Sequence, residues 1–240
     1  MAELAELEWR SWKRVLVVVA HPDDAEYGLS AAVHAWSRAG VAVHYLLLTH
    51  GEAGIATMTP EQTAPARRAE QQAACDAAGV VSLTFLDHPD GMLVGGLDLR
   101  RDIAREIRRI RPDAVVTANF DVEAYGSFNQ ADHRVAGLAA IDATRDAANG
   151  WVFRELAEFE GLPAWSATSI LVAGAAEPTH GVEVGTDDER AGIESLSSHR
   201  VYLEALPDHP KPDDFIPMLL AGGGRALGVQ RAVAFRVLPA

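Results

Sequence analysis

Arg14–Gly28 reads RVLVVVAHPDDAEYG, and the abrupt change of character in the middle of this stretch decides the fold. Val15 to Val19 form an unbroken run of β-branched and leucine residues, the pattern of a strand buried on both faces in a parallel sheet. The run stops at Ala20, and His21, Pro22, Asp23 and Asp24 follow at once. In open α/β sheets, ligands bind just beyond the carboxyl ends of the strands. An imidazole and two carboxylates therefore stand where such a fold does its chemistry. His21 and Asp24 are a workable pair of ligands for a divalent transition metal. The competing reading makes the aspartates caps of the next helix, and a second ligand cluster has to decide between the two.

The same alternation repeats downstream. Tyr27–Ala39 has helical spacing and ends at Gly40, Val41–Leu48 is a second buried strand, and Pro65–Ala78 a helix ending at Gly79. Val80–Leu86 reads as a third strand, Leu97–Ile110 as an amphipathic helix closed by Pro112, Asp113–Ala118 as a fourth strand, and Ala131–Ala148 as a helix. This pattern predicts an α/β, Rossmann-like doubly wound sheet, mostly parallel. Right-handed crossovers then gather the loops beginning at His21, His50, Asp87 and Asn119 on one edge. The rest is less regular: strands at Thr168–Ala173 and Val182–Gly185, a helix over Asp187–Ala205, a proline-rich connection at Leu206–Asp214, a short helix at Phe215–Gly222 and a last strand at Gly228–Leu238. We expect one domain over 1–240, with a core of about 14–150 completed by a small C-terminal cap of strands and helices over about 151–240.

Composition narrows the function classes. The 240 residues carry a net charge of −13, from 34 acidic and 21 basic side chains. Such a surplus is repelled by phosphate backbones and anionic lipid, so nucleic acid and membrane are not expected partners. The single cysteine, Cys75, cannot form an internal disulfide and sits in a helical pattern as a small buried apolar residue. With no apolar signal-like segment at the start, the expected location is cytoplasmic. A homo-oligomer stays open.

The second cluster is Asp132-His133, at the start of the helix that follows the fourth strand. His133 can point back across the strand ends and complete a two-histidine, one-carboxylate site with His21 and Asp24. Three protein ligands with one position left open is the arrangement of catalytic zinc. Asp23, beside the ligand Asp24, is then free to act as general base on the metal's water. Pro22 fixes the bend that separates the two aspartates.

These residues resemble the zinc-dependent de-N-acetylases of the LmbE-like type, also called the PIG-L deacetylase family. The resemblance runs from Arg14 to about Gly137, with a weaker echo near His199. It rests on Ala20-His21-Pro22-Asp23-Asp24-Ala25-Glu26, Thr49-His50-Gly51-Glu52, Arg67 with Glu70, Pro89-Asp90-Gly91, and Asp132-His133-Arg134. It implies zinc (one divalent ion per chain, other divalent metals being possible) on His21, Asp24 and His133, Asp23 as base, and attack by metal-activated water on an N-acetyl carbonyl to release acetate and a free amine. Arg67 is implied as a substrate contact, with Asp90 beside it as a candidate, and Glu52 and Asp132 as supports behind the ligands. The implied substrate is a small N-acetyl sugar such as an N-acetylglucosamine derivative, a sugar conjugate or a related natural-product intermediate. A non-sugar acylated amine, and a non-catalytic metal- or sugar-binding module, are the alternatives. One position departs from the family: Gln130 stands where many members have histidine. Glutamine donates a hydrogen bond but delivers no proton near neutral pH, so protonation of the leaving amine falls to Asp23. Tyr125 is a further candidate donor to the oxyanion.

Overall fold

A computed structural model of the chain describes residues 3–206 and 209–239. Its centre is the strand β2, Arg14–Val19, since β1 is a two-residue strand at Ala5–Glu6. Then follow α1 (Ser30–Arg38), β3 (Ala42–Leu47), α2 (Pro60–Ala78), β4 (Ser82–Phe85), α3 (Leu97–Ile110) and β5 (Ala114–Ala118). A small hairpin, β6 (Glu123–Ala124) and β7 (Ser127–Phe128), precedes α4 (Ala131–Ala148) and the short α5 (Arg154–Glu158). The chain ends with β8 (Ser169–Ala173), β9 (His180–Glu183), α6 (Thr186–Ser197), α7 (Arg200–Glu204), α8 (Pro212–Leu227) and β10 (Ala232–Pro239).

Eight strands form one sheet in the order β1-β9-β10-β8-β5-β2-β3-β4. β2 pairs in parallel with both β3 and β5, and β5 with β8, whereas β10 runs antiparallel between β8 and β9. The chain moves outward from β2 to β4 and then returns across β2 to β5. Strand order thus reverses at the β2–β5 crevice, the place where such sheets bind ligands. Alternation along β2 sends Val15, Val17 and Val19 to one core and Leu16, Val18 and Ala20 to the other. The first core packs against α1, α2, α6 and α8, the second against α3 and α4. A fully buried aliphatic side chain contributes about 1.5–3 kcal/mol, so both layers hold β2, and with it the segment that begins at His21.

The predicted fold class holds, and the differences in detail have local causes. α2 begins five residues before Pro65, because Thr59 and Gln62 form a capping box ahead of Pro60. The turn following β2 delays α1 to Ser30, with Glu26 and Tyr27 both donating their N–H to the Asp23 carbonyl. The expected helix over 187–205 is broken between α6 and α7 by the non-helical backbone of His199. α8 continues past Gly222 to Leu227: a Cβ on Gly223 would lie 2.2 Å from the Ala232 carbonyl oxygen, so the glycines admit close packing on β10 and do not end the helix. The charged N-terminus adds β1, pinned by the buried Leu4, Leu7, Trp9 and Trp12. The C-terminal strands complete the domain by extending the main sheet. Pro207 and Asp208 of the proline-rich connection lie outside the described residues. Cys75 is buried, as expected, and among the described residues no helix is long and apolar enough to cross a membrane.

Arg108 of α3 closes the end of α4. Its guanidinium is buried and donates to the carbonyl oxygens of Asp146, Ala147, Asn149, Val152 and Phe153. Arg108→Met removes the charged donor shared by these carbonyls, four of which keep a backbone N–H partner, and we expect a loss of about 2–4 kcal/mol in urea unfolding. Arg108→Lys restores only part of this, because an ammonium carries fewer donors in a less fixed geometry.

Candidate active site

β2 ends at Val19, and the next residues turn sharply under a constraint visible in the backbone. Asp23 has φ 90°, a left-handed value rare for a residue with a side chain. That conformation is held in place: the Asp23 N–H donates to Gln71 Oε1 at 3.0 Å, and Pro22 is covered by Gly51. Gly51 has φ +65°, and a Cβ there would lie 2.9 Å from the proline ring. The turn sends the carboxylates of Asp23 and Asp24 in different directions.

Asp24 faces two histidines. His133 Nε2 lies 3.0 Å from Asp24 Oδ1, His21 Nδ1 3.6 Å from Asp24 Oδ2, and the two imidazole nitrogens are 3.3 Å apart. The other nitrogen of each ring is already assigned. Asn129 donates through Nδ2 to the carbonyls of Asn119 and Asp121, so its Oδ1 must accept from His133 Nδ1, at 2.9 Å. His21 Nε2 faces Asp90 Oδ1 at 3.0 Å and Asp132 Oδ2 at 3.4 Å, both acceptors. With those protons placed on the outer nitrogens, the inner ones and Asp24 are three lone-pair donors converging on one point. Such a set calls for a cation, and two imidazoles with one carboxylate match a catalytic zinc site with its bracing partners. His21, Asp90 and Asp132 form a second possible triad. There, however, Asp132 already accepts the N–H groups of Gly91 and Leu93, and Asp90 that of Ala53. In the first triad Asp24 Oδ2 accepts the His21 backbone N–H at 2.9 Å, while Oδ1, which faces His133, takes no backbone donor among the described residues.

Electrostatics agree with this reading. Burial favours neutral groups, yet the imidazoles of His133 and His21 hold Asp24 far below the usual carboxylate range. Burial likewise opposes charge on both histidines, and Asp24 overrides it and raises them. The pocket's negative potential draws in positive charge, whether proton or metal ion. Asp23 behaves differently: burial pushes its carboxyl up to about 6, against the pull of the Arg67 guanidinium.

The remaining expected residues fall into distinct positions. Arg67 is 1% exposed; it donates to Asp23 Oδ1 at 2.7 Å, to the Pro22 carbonyl at 2.5 Å and to Glu70 at 2.8 Å. It therefore holds Asp23 in place, and Arg67 also lines the cavity in which the sequence expects it to contact a substrate. Asp90, also expected among the substrate contacts, braces His21 together with Asp132. Glu52 stands one step further out and accepts the Asp90 N–H at 2.9 Å. Gln130 and Tyr125 line the cavity above the triad, Tyr125 from the β6–β7 hairpin with φ 56°.

Sequence reasoning missed three contributors, Gln71, Asn129 and Tyr202, and marked the region of a fourth, His199, only as a weak echo without a role. Gln71 and Asn129 carry no chemistry of their own, although Asn129 stands at helical i, i+4 spacing from His133. His199 Nδ1 accepts from Arg67 at 3.2 Å, and the Tyr202 ring lies 4.0 Å from the guanidinium. Both depend on the α6–α7 break, which local sequence did not announce. The cavity that joins these groups has a volume of about 750 Å³.

A carboxylate held apart from a two-histidine, one-aspartate cluster at a sheet switch point is an arrangement able to hold a metal ion. The chain belongs to the PIG-L family, whose model, described as GlcNAc-PI de-N-acetylase, matches residues 16–144. It is 30% identical over 164 residues to the diacetylchitobiose deacetylase of Thermococcus kodakarensis, covering 68% of this chain and 55% of that one. The chain spans about half the length of the curated relatives it matches. Its fold is that of N,N'-diacetylchitobiose deacetylase from Pyrococcus horikoshii (TM-score 0.85, 24% identity, 96% of this chain and 85% of that one). It is also similar to 4-carboxy-2-hydroxymuconate hydratase from Pseudomonas putida (TM-score 0.71, 19% identity, 94% and 96%), so this architecture hosts more than one chemistry.

Removing Arg67 strands the buried Asp23 and Glu70 carboxylates. We expect Arg67→Met to cost about 3–5 kcal/mol in urea unfolding. Adding Asp23→Asn to that variant should recover part of the loss, because one of the stranded charges is gone.

Proposed function

We propose that the chain is a metal-dependent hydrolase that removes the acetyl group from the amine of an acetamido sugar or sugar conjugate. The observation that carries this reading is the convergence of His21 Nδ1, His133 Nε2 and Asp24 at 3.0–3.6 Å from one another, with the outer ring nitrogens committed to other acceptors, beside a separately held carboxylate. The family description and the diacetylchitobiose deacetylase support the acetamido sugar as substrate class. His21, Asp24 and His133 would hold the ion, and zinc suits their donor set. A divalent ion bound there polarises the amide carbonyl and lowers the pKa of a water toward about 7.

The chain's own residues supply the rest. Arg67 occupies Asp23 Oδ1 and leaves Oδ2, which has no hydrogen-bond partner among the described residues, for the reaction. Asp23 Oδ2 takes a proton from the attacking water as its oxygen bonds to the acyl carbon. The same oxygen returns that proton to the amine nitrogen as the C–N bond breaks, giving acetate and a free amine. Gln130 cannot substitute in that proton transfer but can donate a hydrogen bond to the carbonyl oxygen as charge develops on it, a role that Tyr125 at the cavity mouth can share.

Metal analysis of protein purified without chelator should show about one divalent ion per chain, lost in His21→Ala and in His133→Ala. Absence of metal from the wild type removes the reading. Asp23→Asn should keep the ion and lower kcat by about 10²–10⁴-fold in an acetate-release assay on acetamido sugars. Flat responses to sugars and simple amides alike, with metal bound, would instead indicate a binding module. Gln130→His should leave the metal content unchanged.

A further inference from the structure

The cavity is larger than the reaction at its polar end requires. Its volume, about 750 Å³, lies in the upper part of the roughly 300–1,000 Å³ range of small-molecule pockets, several times what an acetyl group fills. Its lining is also divided. The charged side chains that face it, Asp23, Asp24, Arg67 and Asp90, all belong to the polar end already described. The far arm runs past the start of β10 to α8, lined by Phe215, Leu219, Leu220 and Val233, with Tyr27 at its boundary with the polar end, where burial and the charges of Asp23 and Asp24 push its hydroxyl's pKa up. Tyr27 and Phe215 meet edge to face with ring centroids 5.7 Å apart, and His209 lies 5.0 Å from Tyr27. None of the described residues of that arm is an acid, a lysine or an arginine.

A sugar's hydroxyl groups would be poorly served there. Each buried hydroxyl needs a partner, and the arm offers little beyond the tyrosine, the histidine and backbone. An alkyl or aryl group, by contrast, gains from displacing water along an apolar wall. The wall is set by the core: Leu220 and Val233 are 3% and 4% exposed, so their positions follow from packing against the sheet. The arm opens directly into the cavity of His21, Asp24 and His133, and a single substrate can reach both ends.

We propose that this arm is a binding subsite for an apolar substituent of the substrate, a linear alkyl or aryl group carried on the sugar or in the acyl chain. The proposal rests on the deacylase reading only for the reaction at the polar end. The test compares methyl with hexyl 2-acetamido-2-deoxyglucosides, and N-acetyl- with N-hexanoylglucosamine. Burying methylenes should raise kcat/KM by about tenfold or more in at least one series, given about three- to fourfold for each methylene fully removed from water. The series that gains identifies which end of the substrate enters the arm. In Leu219→Glu the hexyl-to-methyl ratio should fall toward one; Leu219 is 37% exposed, so the charge is tolerated in folding. Calorimetric binding of the corresponding free amines, methyl and hexyl 2-amino-2-deoxyglucoside, reads the glycoside arm without catalysis. Tighter binding of the hexyl amine with no turnover of any amide would keep the subsite and overturn the deacylase. Turnover with equal kcat/KM across both series, or no gain in either turnover or binding, would overturn the subsite.

Discussion

A single buried guanidinium holds the site's geometry. Arg67 of α2 is desolvated among two carboxylates, and its charge is tolerated only because both Asp23 and Glu70 take hydrogen bonds from it. Its contacts close a ring: Arg67 to Asp23, the Asp23 N–H to Gln71, Gln71 to Glu26 at 3.1 Å, and back to Arg67 through His199. The last link is the weakest. Glu26 Oε2 and His199 Nε2 are 3.6 Å apart, and neither has another partner among the described residues. Because Arg67 can only donate, His199 Nδ1 accepts from it, and the remaining imidazole proton points along that gap. Every member sits in a low-dielectric interior where losing a partner is costly, so the ring behaves as a unit.

That unit explains how two neighbouring aspartates take unlike roles. Asp24 belongs to the histidine side, where opposite charge keeps it ionised; Asp23 belongs to the ring, where burial raises it. The separation depends on a backbone conformation that costs energy locally. Gln71 and Gly51 hold it from two directions, one by a hydrogen bond to the strained amide and one by leaving room for Pro22.

How much of this was legible in the sequence follows from how local each feature is. The strand ending in HPDD, the helix over Leu97–Ile110 and the helix start at Asp132-His133 are each written within a few residues, by hydrophobic period and turn chemistry. The trio His21, Asp24 and His133 was readable as a candidate metal site because its members follow a strand or begin a helix on one sheet edge. Arg67 and Asp90 were visible as residues, but their partners depend on distances across the fold that spacing cannot supply. The role of His199 was hidden by a helix break, and the side chain's inward turn responds to Arg67 and Glu70 rather than to its neighbours in sequence. The α8 glycines misled for a related reason: in isolation they read as a stop, and only contact with β10 shows why they lie within the helix.

In the proposed function, chemistry and selectivity come from different parts of the chain. The reacting groups lie within residues 16–144, which the family model matches, and are supplied by loops that short strand–helix connections must carry to one edge. Most of the apolar arm comes from residues 209–220 and 232–234, beyond that match, on elements that extend the sheet around β10. The antiparallel insertion of β10 brings these two sources together. Its first residues return to the same edge at which β2 and β5 end, so α8, which leads into it, is laid across the open side of the crevice. Changes in α8 can alter what the cavity admits without disturbing the Arg67 ring or the histidine pair, since Phe215 and Leu219 touch the cavity but take no part in either network. A fold arranged in this way can hold one reaction fixed while its substrate range shifts.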